Sequence, residues 1–149
     1  MSAEKFWSDW LKVTMWIVIL SGLFLSIFVN LIPWEYLDKQ IENIFFSGQI
    51  LNESTDYLKQ WLIAISGAVM TGWGSSMLYV LNHSFRRKEI WAWRCIFYPV
   101  ILWYMIDTSV SFYFGASFNI IINSILLLQI IAPLLFLKNQ FMIKTTPAI

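Results

Sequence analysis

The chain has 149 residues, 58% of them hydrophobic, 18% aromatic and only 13% charged, for a net charge of +1. That balance excludes an ordinary soluble domain, and the near-neutral charge, with no basic stripe among exposed aromatics, argues against a nucleic-acid partner. A single cysteine, Cys95, and a single histidine, His83, exclude an intrachain disulfide or CxxC pair and leave too few ligands for a metal, so neither metal nor cofactor is expected.

Four apolar stretches follow one another, over 13–32, 61–81, 95–115 and 119–137. A helix crosses about 30 Å of hydrocarbon in about 20 residues, and all four meet that length. The expected fold is therefore all-α, an integral membrane four-helix bundle in which residues 1–149 form one transmembrane domain. The first stretch is too long for a signal-peptide core, and Asn30-Leu31-Ile32-Pro33-Trp34 is a poor cleavage site, so it reads as a retained helix. It carries a stripe of Gly22, Ser26 and Asn30.

The 34–60 connection is the only sizeable polar segment. Leu37, Ile41, Ile44 and Phe45 recur at helical spacing, which predicts a short amphipathic helix lying on the membrane surface or over the bundle. Ser47-Gly48 supplies a turn, and Asn52, Ser54 or Thr55 can cap the next helix. Asn52-Glu53-Ser54 also matches a glycosylation sequon, a weak three-residue signal.

The second stretch bears Gly67, Thr71 and Gly74, with Ser75 beside them. After it comes the most basic segment, His83-Ser84-Phe85-Arg86-Arg87-Lys88-Glu89, followed by Arg94. With Lys5, Lys12, Lys138 and Lys144, eight Lys and Arg fall on one side of the spans; Lys39 and Lys59 fall on the other. The positive-inside rule then places both termini in the cytoplasm and the 34–60 connection outside. Trp7, Trp10, Trp34, Trp61, Trp91 and Trp93 lie near span ends, where an indole commonly anchors at the headgroup level.

The third stretch holds a lone carboxylate, Asp107. Asp107, Ser111 and Gly115 are spaced by four, so they share one helix face, with Thr108 beside it. Asn119 and Asn123 repeat that spacing in the fourth. At a rise of about 1.5 Å per residue, Asp107 lies ~12 Å and Ser111 ~6 Å below Gly115. Asn123 falls ~6 Å below Asn119, level with Ser111, while Gly67 and Thr71 at ~9 and ~15 Å below Trp61 bracket Asp107. The four stripes are thus expected to meet in one polar cluster in the outer half. An ionised Asp facing lipid costs about 2.5 to 3.5 kcal/mol even on the lenient insertion scale. It must turn inward, find donors or take up a proton. Asp107, Thr108, Ser111, Asn119, Asn123 and Thr71 are the candidate ligand-binding residues. Pro99 and Pro133 each remove a backbone donor inside a span and should kink it.

Trp103-x3-Asp107-Thr108-x2-Ser111-x3-Gly115-x3-Asn119-x3-Asn123, preceded by a basic loop and a tryptophan, resembles a loose set of small four-span bacterial membrane proteins. The resemblance covers about 67–138 and is weaker in the first span. It implies a multi-pass protein of the bacterial cytoplasmic (inner) membrane and supports the Asp107 layer; the set has no assigned activity, so it implies no reaction. No HExxH, GxSxG, Walker or GxGxxG motif occurs, which lowers the weight of an enzyme. Two functions fit best: an outward-facing polar pocket around Asp107 that binds or moves a small ligand or proton, or an accessory subunit of a larger membrane complex; an intramembrane enzyme with Asp107 as general acid or base is the third and least favoured. Partners beyond the lipid bilayer would then be a second copy, packed through the small residues of the second span, or the other subunits of that complex.

Overall fold

The computed structural model describes residues 2–29, 31 and 35–142. Five α-helices follow in order: α1 (Ala3–Ile27), α2 (Glu35–Phe45), α3 (Glu53–Val80), α4 (Ile90–Tyr113) and α5 (Ser117–Met142), with a π-helical turn at Leu81–Phe85 continuing α3. No strand occurs among the described residues. α1, α3 with its π turn, α4 and α5 are 25, 33, 24 and 26 residues long, and each is apolar enough to cross a membrane. Mid-helix Val69, Leu102 and Leu128 are 66%, 59% and 66% exposed, an apolar perimeter that suits lipid rather than water. The class this defines is a multi-pass helical membrane protein.

Local chemistry sets the helix ends. The Ser2 hydroxyl accepts from the Lys5 amide at 3.3 Å, so α1 begins ten residues before the apolar stretch. It ends at Ile27, short of the expected 32, and Asn30 lies outside the described residues, as do Pro33, Trp34 and Lys144. Ser47 and Gly48 turn the chain out of α2 with φ of 53° and 78°. Of the three candidate caps for α3 it is Asn52 whose side chain accepts from the Thr55 amide, at 2.9 Å. At 33 residues, α3 and its π turn are ~50 Å long, so part of them stands beyond a hydrocarbon layer of about 30 Å.

α1 packs along α3 and against α5, and α5 packs along α4. α3 and α4 close the ring more loosely, joined by the rings of Trp73 and Trp103 with centroids 5.9 Å apart. The two ends of the bundle differ in chemistry. At the end carrying the chain termini and the π turn, Leu11, Met15, Leu81, Ile96, Val100, Ile130 and Leu134 form a fully buried apolar core. There Lys88, at φ 58°, pairs with Glu4 and donates to Gln140 Oε1 at 2.9 Å, tying the α3–α4 connection to α1 and α5. The end carrying α2 holds the small and polar stripes instead.

Two indoles expected as interfacial anchors do other work. Trp93 is 4% exposed and donates from Nε1 to the Leu134 carbonyl at 2.8 Å inside the core. Trp10 donates to the Gln129 carbonyl at 3.2 Å. Pro133 has no N–H to offer that carbonyl four residues upstream, so an indole from α1 fills the place.

Candidate functional site

The polar stripes pair off two by two rather than meeting in one cluster. The first pair joins α1 and α3. A Cβ built on Gly22 would stand 2.5 Å from the Gly67 carbonyl oxygen, and one on Gly67 would stand 2.5 Å from the Gly22 carbonyl oxygen. Only two glycines allow that approach. Around them Ser26 Oγ donates to the Ala64 carbonyl at 2.9 Å, and Thr71 Oγ1 donates to its own Gly67 carbonyl at 2.9 Å and reaches the Ile19 carbonyl at 3.5 Å. Thr71 is therefore engaged at the α1–α3 seam and makes no hydrogen bond to Asp107. Gly22, Gly67 and Thr71 thus serve this seam inside the protomer.

The second pair joins α4 and α5, and here the expected residues do come together. Asn119 Nδ2 donates to Asp107 Oδ1 at 2.7 Å and to Ser111 Oγ at 2.7 Å; Asn123 Nδ2 donates to the same Oδ1 at 2.8 Å. Ser111 Oγ donates to the Asp107 carbonyl at 2.8 Å and lies 3.3 Å from Oδ1. Ser111 and Asn123 are buried; Asp107 and Asn119 are half-buried.

The register differs by one helical turn from the depth argument: Asn119, not Asn123, is level with Ser111, and Asn123 reaches down to Asp107. The α4–α5 turn explains this. Gly115, at φ 74°, ends α4 in a Schellman arrangement in which the Ala116 amide donates to the Ser111 carbonyl at 2.8 Å. Helix α5 then starts at once, so Asn119 already lies inside it rather than at its rim.

The two amide donors converge on one carboxylate oxygen, while the Ser111 hydroxyl donates to the Asp107 carbonyl. The other, Asp107 Oδ2, accepts from no protein group among the described residues, and it is not sealed in the interior, because the one buried side-chain polar atom lacking a partner there is Thr108 Oγ1. The amide oxygens of Asn119 and Asn123, whose nitrogens donate to Asp107, likewise accept from no described residue. Asp107 has no ion-pair partner, and no cluster of three His, Cys, Asp or Glu occurs among the described residues.

Two features escaped the sequence reading. Tyr104 and Ser124 share a hydrogen bond of 3.1 Å just below the Asp107 layer; Tyr104 is three residues before Asp107, and that spacing was the available signal. The Trp73–Trp103 contact lies on the same face of α4 as Asp107, one turn away. Helix α2 reaches both hairpins at this end. Asp38 accepts from Lys59 Nζ of α3 at 2.6 Å, where Asp56 joins the pair, and the Phe45 ring lies 5.8 Å from that of Phe114 beside the α4–α5 turn. No α2 residue is buried, so it crosses the end of the bundle as a strap.

No family model, no curated protein and no solved structure matches this chain.

Proposed function

We propose that the protein is a small-ligand- or proton-binding bundle of a bacterial cytoplasmic membrane, with Asp107 as the anchor of a polar pocket that opens toward the outside. The distribution of charge supports this orientation: among the described residues seven Lys and Arg lie on the side of the α1 start and the π turn, and two on the side of α2. The Asp107 layer then lies in the outer half, with α2 across its mouth.

The observation that carries the reading is the lopsided coordination of Asp107. A carboxylate that only glued helices together would be expected to engage both oxygens, because an unpaired polar atom is costly in a bilayer. Here the amides of Asn119 and Asn123 hold Oδ1, while Oδ2 accepts from no described residue and the carboxylate has no ion-pair partner among them. The balancing positive charge is supplied by a proton or by a ligand. Asn119, Asn123 and Ser111 orient the carboxylate, Thr108 adds an unengaged hydroxyl, and Thr71 acts only through the packing of α1 on α3.

Native mass spectrometry of gently extracted protein, beside Asp107→Asn, tests this. Asparagine keeps an oxygen where Oδ1 sits, so the fold survives while the charge is lost. A small molecule retained by the native chain and absent from the variant, or a carboxyl infrared band that titrates in one and not the other, supports the reading. Identical behaviour of both chains by both measurements overturns it. Fixed-stoichiometry protein partners, retained equally by both, would mark an accessory subunit instead.

A further inference from the structure

Resting on that reading, the geometry points to the chemical class of the ligand: we propose a primary ammonium ion carrying an apolar or aromatic group, held by Asp107, Asn119 and Asn123 and packed against Trp103. Three groups of this layer donate inward. Asn119 Nδ2, Asn123 Nδ2 and the Ser111 hydroxyl end on Asp107 or on one another. The acceptors of this layer that receive no hydrogen bond from the described residues are Asp107 Oδ2 and the two amide oxygens. A site of three acceptors, one of them charged, is complementary to a group with positive charge and several N–H donors. A primary ammonium has three.

The surroundings select an organic cation over a bare metal ion. Alkali and alkaline-earth ions take six or more oxygen ligands in compact cages, whereas this rim offers three, and the wall beside it is aromatic. Trp103 lies four residues before Asp107 on α4, so its ring and the carboxylate share a face about 5–6 Å apart at Cβ. That spacing suits one ammonium placed between a carboxylate oxygen and an indole, where the ring quadrupole adds to the attraction. Trp73, tilted at 34° to Trp103 across the loosest seam of the bundle, continues the aromatic wall toward α3. The apolar part of the ligand would lie along these rings, between α3 and α4.

The test uses the full chain in detergent micelles with 2-phenylethylammonium as probe and its N,N,N-trimethyl analogue as control, followed by titration calorimetry. Both are cations of similar shape, but only the first donates hydrogen bonds. Saturable binding of the primary amine, at least about tenfold tighter than the trimethyl analogue, is expected; tenfold is the worth of one charge-assisted hydrogen bond. Asp107→Asn should abolish it, and Trp103→Leu should weaken it several-fold while leaving the carboxyl infrared band in place. Equal affinity for the two probes, or binding unchanged in Asp107→Asn, overturns the proposal. If neither probe binds but the carboxyl band still titrates only in the native chain, the ligand class is wrong and the Asp107 site stands. Loss of that difference as well would remove both.

Discussion

Alanine at Gly22 should separate α1 from α3. Its Cβ would lie 2.5 Å from the Gly67 carbonyl oxygen and 2.6 Å from Thr71 Oγ1. Carbon and carbonyl oxygen come no closer than ~3.3 Å without repulsion, so the helices must part by ~0.8 Å at this level. Backbone stands on one side of the clash, so no side chain can simply swing away. The Ser26 bond to Ala64, now 2.9 Å, would stretch to ~3.7 Å, beyond hydrogen-bonding reach. Overpacking of this kind costs about 1–3 kcal/mol, and each interhelical hydrogen bond lost in a bilayer adds about 0.6 kcal/mol. Together these predict a loss of roughly 2–4 kcal/mol. Gly67→Ala, which meets the Gly22 carbonyl at 2.5 Å, should behave alike. Gly72 is the control: nothing lies within 4 Å of a Cβ there, so Gly72→Ala should be neutral or stabilising by up to about 1 kcal/mol through helix propensity. Reversible unfolding in mixed micelles, driven by the mole fraction of SDS and read by tryptophan fluorescence, measures all three. If Gly22→Ala and Gly72→Ala unfold together, the close α1–α3 approach does not exist.

Other expectations can be checked in the same assay. Asp107→Asn should change stability by less than about 1 kcal/mol, whereas Asp107→Leu, which strands the amides of Asn119 and Asn123, should cost about 1–3 kcal/mol; equal losses would contradict the hydrogen-bonded layer. Gly115→Ala should cost about 1–2 kcal/mol purely through its left-handed backbone, since no atom crowds the position. Trp10→Phe should cost about 0.6 kcal/mol in the native chain and nothing in Pro133→Ala, where the backbone amide gained at that position can satisfy the Gln129 carbonyl; a double-mutant cycle reads the difference. Lys59→Met should release α2 by breaking its pairs with Asp38 and Asp56, seen as several-fold faster hydrogen exchange across 35–45 for about 1 kcal/mol of lost attraction.

Sequence by itself determined the class and the parts. Four runs of about 20 apolar residues can be satisfied only as helices, because a bilayer offers the backbone no other hydrogen-bond partner. The period of Leu37, Ile41, Ile44 and Phe45 was enough for α2, since a one-sided apolar face is a local property. The pairing of Asp107 with Ser111, Asn119 and Asn123 was also legible: all four lie on two adjacent spans joined by a three-residue turn, so short chain distance forces them together. What sequence could not decide was which remote stripe faces which. Thr71 and Ser26 sit at matching depth with Asp107, yet depth constrains position along the membrane normal and says nothing of rotation or of helix order around the bundle. The α1–α3 seam claimed both residues because glycine against glycine, Gly22 on Gly67, permits a backbone contact that no pairing with α4 could match. Tertiary structure likewise set the one-turn register of α4 on α5, through the backbone angle at Gly115. It also decided which oxygen of Asp107 is held and which is open, because that depends on angles between side chains and not on their spacing along the chain.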